Sequence, residues 1–228
     1  MRNVAVIIKK ELKDTFKNKT VLIQFVMFPV MALIMENAIK IADFPADFFT
    51  KLFSVMYMGM APLTSVAAII SEEKEKNTLR VLLMANVKPW EYLAGIGIYV
   101  WTICMGGAGV MATGLPSSDI PFYLVLMSVG FLISIVSGAC IGLFASNQMV
   151  STSLTMPFML VFSFAPMLSM FNDKIEKVSG IFYTQQIKLL LDRMTFDGIK
   201  PEATLTIVLS AVLALGIFFA AFNKKGLE

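Results

Sequence analysis

Glu72, Glu73, Lys74, Glu75 and Lys76 follow one another without interruption, and Leu79, Leu82 and Leu83 come directly after them at i, i+3, i+4 spacing. Alternating charges ahead of an apolar stripe suit recognition better than bond-breaking. The stripe of a short amphipathic helix can enter a groove, and Glu73, Glu75 and Arg80 can pair at its rim. Pro89 then suits the first turn of the next helix. A solvated connector would carry the same charges, so the pattern alone admits both uses. Catalysis has little to work with. The chain contains no histidine, which removes the commonest general base, metal ligand and proton relay together. Cys104 and Cys140 sit in apolar runs, the setting of buried free thiols and not of a disulfide framework. No G-x-x-x-x-G-K-[ST] phosphate loop occurs, so ATP hydrolysis would have to come from a separate chain. No catalytic set, metal site or resident cofactor is expected.

A second group lies further on. Ser151, Thr152, Ser153 and Thr155 open an apolar stretch that continues with Met156, Phe158, Met159, Phe162, Phe164, Met167 and Met170. A polar end leading to a Met/Phe wall suits a path for amphipathic molecules, because methionine surfaces repack around varied shapes. Ser151, Thr155, Phe158, Met159 and Phe162 are the candidate lining. Lipid-facing packing would use the same residue types.

The elements that must position these residues are membrane helices. Of 228 residues, 57% are hydrophobic and 15% charged, where soluble domains carry about 45–50% and about 25%. Six apolar stretches (20–39, 52–71, 92–115, 121–144, 150–171 and 203–222) are each long enough to cross a bilayer as a helix. The expectation is an all-α integral membrane protein, one transmembrane domain over 1–228. An even number of spans puts both termini on one side. Twelve of the 19 Lys/Arg fall in the two tails and the 72–91 segment, so these are expected in the cytoplasm and the 172–202 segment outside the cell membrane. The net charge of +3 is spread over several short segments, which argues against nucleic-acid binding.

Within 1–19, Val4, Ile8, Leu12 and Phe16 recur every fourth position, while Lys9, Lys10, Lys13 and Lys17 crowd the other side. This predicts a helix lying in the cytoplasmic interface, with its lysines toward anionic headgroups. The region is too long for a cleaved signal, so the first span should persist. In 172–202, Ile175, Val178, Ile181, Phe182, Ile187, Leu189, Leu190 and Leu191 are too apolar for a free loop. Short helices dipping back onto the bundle are expected, as a lid or as a structural cap. Gly130, Ser134, Gly138, Gly142 and Ser146 form a row of small residues along span four, for close packing within the subunit or between subunits. Glycines in span three and Pro29, Pro157 and Pro166 mark helices that can bend. Glu36 should lie near the outer surface, paired with Lys40.

The segment Glu73-Lys74-Glu75-Lys76-Asn77-Thr78-Leu79-Arg80-Val81-Leu82-Leu83, followed by Pro89-Trp90-Glu91-Tyr92-Leu93-Ala94-Gly95, resembles the E-x-E-x-G-T-L-x-x-L-L … W-E-x-L-x-G signature of ABC-2 type transporter permeases. The resemblance extends to the layout of the whole chain. It implies that Glu73, Glu75, Lys76, Thr78, Leu79, Arg80, Leu82 and Leu83 belong to a coupling helix seated on a cytoplasmic ABC ATPase, which holds ATP and magnesium. It also implies a second permease copy or a sister permease in the bilayer, and external re-entrant helices before the last span. Asn77 stands where the family often has glycine, and Ile96 where a cation often follows Gly95.

The implied function is export of an amphipathic peptide, drug or lipid-like compound. Sodium export, secondary transport and a stand-alone bacteriocin-immunity role are the alternatives. Secondary transport usually needs ionisable groups at mid-membrane or internal repeats, and the apolar stretches offer neither.

Overall fold

The computed structural model describes residues 2–15, 19–39, 47–195 and 201–225. Phe16, Lys17 and Lys40 lie outside the described residues, as do the side chains of Arg2, Lys19, Leu83, Lys224 and Lys225. Every regular element described is helical. In chain order these are α1 (Arg2–Thr15), α2 (Lys19–Ala38), α3 (Phe48–Glu75), α4 (Thr78–Met84), α5 (Pro89–Ala112), α6 (Ile120–Phe144), α7 (Gln148–Met159), α8 (Ala165–Leu168), α9 (Asp173–Ser179), α10 (Tyr183–Arg193) and α11 (Pro201–Lys225). Five helical segments are long and apolar enough to cross a membrane: α3, α5, α6, the run Gln148–Leu168 and α11. The apolar part of α2, Leu22–Ala38, is shorter.

Sequence chemistry sets the ends of these helices. Pro89 stands at the first position of α5, where a missing N–H costs nothing. Asn147 and Asn172 cap α7 and α9, accepting from the N–H groups of Val150 and Lys174, each at 2.9 Å. The Glu36 carboxylate accepts from the Thr50 N–H at 2.8 Å and its hydroxyl at 3.1 Å. An acid near the end of α2 thereby satisfies the N-terminus of α3. Between Pro157 and Pro166, residues Leu160–Phe164 form a π turn. Pro166 has no N–H for the carbonyl one turn earlier, and the ladder widens there.

The centre of the bundle is α3, packed against α2, α5, α6, α7 and α10. Its contact with α6 uses the small-residue row. A Cβ on Gly138 would lie 2.3 Å from the Leu63 carbonyl oxygen, and one on Gly142 would lie 2.8 Å from the Ile70 Cβ. Ser134 donates to the Met58 carbonyl at 2.6 Å and lies 2.6 Å from the Tyr183 hydroxyl, tying α3, α6 and α10 together. On α6 the row therefore packs within the subunit; Ser146 lies beyond the helix end and is exposed.

Residues 172–195 form α9 and α10. Ile187 and Leu191 on α10 are fully buried among α3, α6 and α11, and Tyr183 nearly so. Outward faces are apolar: Val26, Val30 and Ile34 on α2, and Leu205, Val208, Leu209 and Val212 on α11, are all exposed. Rows of exposed aliphatic residues on this scale belong in lipid.

Candidate functional site

The charged run at the end of α3 lies where four other helices end or pass. Glu73 is only 4% exposed, and its two carboxylate oxygens are engaged by the Lys10 ammonium of α1 and the Tyr92 hydroxyl of α5. Lys10 also pairs with Glu11 at 3.1 Å. Burial works against the Lys10 charge, but the Glu73 and Glu11 carboxylates more than offset it and hold its pKa above the ordinary lysine value. Close approach of α1 to α5 depends on Gly95, where a Cβ would lie 2.8 Å from Ile7.

The neighbouring charges serve helix ends according to sign. Lys74 donates to the Leu143 carbonyl at 2.7 Å, at the C-terminus of α6. Glu75 accepts the backbone N–H of Gln148 at 3.1 Å, at the N-terminus of α7, and Glu72 accepts from the Gln148 side chain at 2.9 Å. A cation at a C-terminus and anions at an N-terminus complement the helix dipoles. Lys76 pairs with Glu72 one turn back. The opposite charges of Lys74 and Glu75 thus match the opposite helix ends beside them.

Two left-handed residues bracket α4: Asn77 with φ 58° and Asn86 with φ 65°. Asparagine tolerates this region better than most non-glycine residues, which accounts for Asn77 at the family's glycine position. The Thr78 hydroxyl donates to the Glu73 carbonyl at 3.1 Å, closing the turn. The seven-residue helix α4 then lies on the bundle. Leu79 is 2% exposed, in one cluster with Ile7, Val87 and Tyr92, and Leu82 packs partly against it.

Glu73 and Leu79, expected to meet a partner, are buried within this chain. Of the apolar stripe, Leu79 is in the core and Leu82 half-buried against it. What α4 presents outward is Arg80, Val81 at 57% exposure and Met84 at 71%, flanked by exposed Glu75, Lys76 and Trp90. Lys10, Glu11 and Gln148 complete the cluster; Lys10, expected on the headgroup-facing side of α1, turns to Glu73 instead, and Glu11 and Gln148 carry no motif signal of their own. Tyr92 falls inside the W-E-x-L stretch without being one of its marked positions.

The candidate lining residues divide between two faces. Ser151 donates to the Ala67 carbonyl at 3.1 Å and Thr155 to the Ser151 carbonyl at 2.6 Å; both are buried toward α3. Met159 packs with Leu63, Ala67 and Ile141. Phe158 and Phe162 instead come together, with centroids 6.1 Å apart. They line two adjoining cavities of about 320 and 420 Å³ between α6, α7 and α11. Among the described residues, no three metal-ligating side chains converge.

A helical bundle with lipid-facing aliphatic rows, and a short helix held across its polar end beside buried charges, is a multi-pass membrane protein. Residues 4–223 match the model of a family described as ABC-2 family transporter protein, and the chain belongs to that family. It is accordingly a membrane subunit of a transporter and not its catalytic component. No curated protein matches the chain.

Proposed function

We propose that this protein is the transmembrane permease subunit of an ATP-driven exporter, with α4 as the coupling helix resting on a cytoplasmic ABC ATPase that holds ATP and magnesium. The observation that carries this reading is the outward face of α4. Arg80, Val81 and Met84 stand exposed on a helix fixed at its root by Thr78, Leu79 and the Glu73 cluster. Force applied to that face passes directly into α3, and through Lys10 and Tyr92 into α1 and α5.

In this reading α2 is the first of six spans, both termini are cytoplasmic, and α9 and α10 form the external cap. Two copies, or this chain and a sister permease, face each other in the bilayer. The substrate is an amphipathic peptide, drug or lipid-like compound, and Phe158 and Phe162 are the lining residues best placed to meet it. Cysteine crosslinking tests the coupling role. Met84→Cys should crosslink to a cysteine on the cognate ATPase in membranes co-expressing both, and Leu79→Cys should not. Equal crosslinking from both positions, or none from either, would remove α4 as the contact.

A further inference from the structure

We propose that the cavity between the start of α3, the Pro166 turn and α10 binds a zwitterionic amphiphile. This site lies at the opposite end of α3 from α4 and stands whether or not an ATPase drives the protein. The cavity has a volume of about 290 Å³. Its lining is largely apolar, with Leu52, Val55, Pro166 and Met167 beside the Ser163 hydroxyl, which donates to the Met56 carbonyl.

Four charges face the same space from two helices. Lys51 of α3 pairs with Asp47, the residue just ahead of that helix, at 2.7 Å, and Lys188 pairs with Asp192 on α10 at 2.8 Å. The lysine side chains are only 15% and 12% exposed. Each pair joins residues one turn apart, so neither pair ties α3 to α10. Intrahelical partners at this spacing contribute little by themselves, and the Asp192 carboxylate, 44% exposed, leaves its pair open to exchange.

Complementarity then selects the ligand. Two cations and two anions around one mouth cancel, so an anionic head meets the aspartates and a cationic head the lysines. A head carrying both charges can answer both pairs at once, while a hydrocarbon portion enters between Leu52, Val55 and Met167. The volume sits near the lower limit of small-ligand sites, about 300 Å³. It therefore accommodates a headgroup with its first carbons and not a whole two-chain lipid. The source is either a membrane phospholipid entering by its head or a free amphiphile from the aqueous side.

The test uses the full-length protein in uncharged maltoside micelles, with an environment-sensitive fluorophore on Met170→Cys at the cavity rim. Cys104 and Cys140 are buried, which directs the label. Dihexanoyl-phosphatidylcholine should give a saturable response, with affinity at least about tenfold above dihexanoyl-phosphatidylglycerol and hexyl glucoside. The pair Lys51→Gln and Lys188→Gln should reduce it to the hexyl glucoside level, and Lys51→Arg with Lys188→Arg should restore it. Equal affinity for the three probes would overturn the proposal and leave only apolar partitioning; that comparison needs no folded variant. An unchanged affinity in the double glutamine protein, at an unchanged thermal midpoint, would also overturn it. In vesicles containing phosphatidylethanolamine, loss of the response to added probe assigns the site to membrane lipid, and persistence assigns it to a free amphiphile.

Discussion

The Lys10 ammonium lies against the Glu73 carboxylate, joining two helices across 63 positions of sequence. Tyr92 holds the other carboxylate oxygen and packs at a tilt against Phe222 of α11, with ring centroids 6.0 Å apart. One buried acid therefore fixes α1, α3 and α5 together, directly beside the turn into α4.

Removing that acid should cost more than removing its partner. Glu73→Ala leaves the Lys10 ammonium with Glu11 alone and strands the buried Tyr92 phenol. Lys10→Met leaves Glu73 with Tyr92 still donating. Breaking a fully buried pair costs about 3–5 kcal/mol, and solvent at Lys10, whose side chain is 39% exposed, brings both losses below that range. Thermal unfolding of the detergent-solubilised protein should rank the midpoints wild type, Lys10→Met, Glu73→Ala. The opposite order would show that the lysine, not the carboxylate, is the hub.

The same pair has a defined pH signature. The folded-state pKa of Lys10 is raised, so its contribution to stability is complete below the ordinary lysine pKa of 10.5 and is lost as pH rises through the folded value. Between about pH 6 and 9 the stability difference between wild type and Lys10→Met should be flat, and it should shrink only above about pH 10.5. A difference that varies steeply near neutrality would contradict this assignment.

Packing and docking on α4 separate by residue. Leu79→Ala should destabilise the protein by about 2–5 kcal/mol, the cost of a large-to-small change in a core. Met84→Glu and Val81→Glu should leave the stability within about 0.5 kcal/mol of wild type, yet reduce co-purification with the ATPase and stimulation of its hydrolysis. Retained co-purification of both variants would move the contact away from this face.

Two glycines give opposite expectations. Gly138→Ala places a Cβ 2.3 Å from a backbone oxygen of α3 and should lower stability by about 1–3 kcal/mol through overpacking. Gly109→Ala meets nothing within 4 Å and should be neutral or stabilising by up to about 1 kcal/mol. Matching midpoints for the two variants would mean that α3 and α6 do not approach this closely.

Orientation is measurable at α9 and at the C-terminus. Val178, 65% exposed, should react as cysteine with an impermeant thiol reagent on intact cells. A reporter fused after Glu228 should be active only in the cytoplasm. Labelling of Val178→Cys only after lysis would invert the topology and remove the exporter reading.

The sequence alone determined the helical class, the helical form of α1, the packing of residues 172–195 as short helices, and the segment that matches the family. Those properties follow from local composition and period, which each segment carries wherever it is placed. Tertiary structure decided what each feature faces. The Leu79 stripe looked outward because a period cannot say which body fills the opposite surface; in the fold Leu79 is buried in the chain's own core, in the same cluster as Ile7 from the first helix. Glu36 acquires the N-terminus of α3 as its partner, from a helix that begins after residues 40–46. The charges at 72–76 looked like a solvated rim because their partners are the ends of α6 and α7 and the side of α1. A helix end is a partial charge with no residue type to mark it, and only the fold brings it beside Lys74 and Glu75.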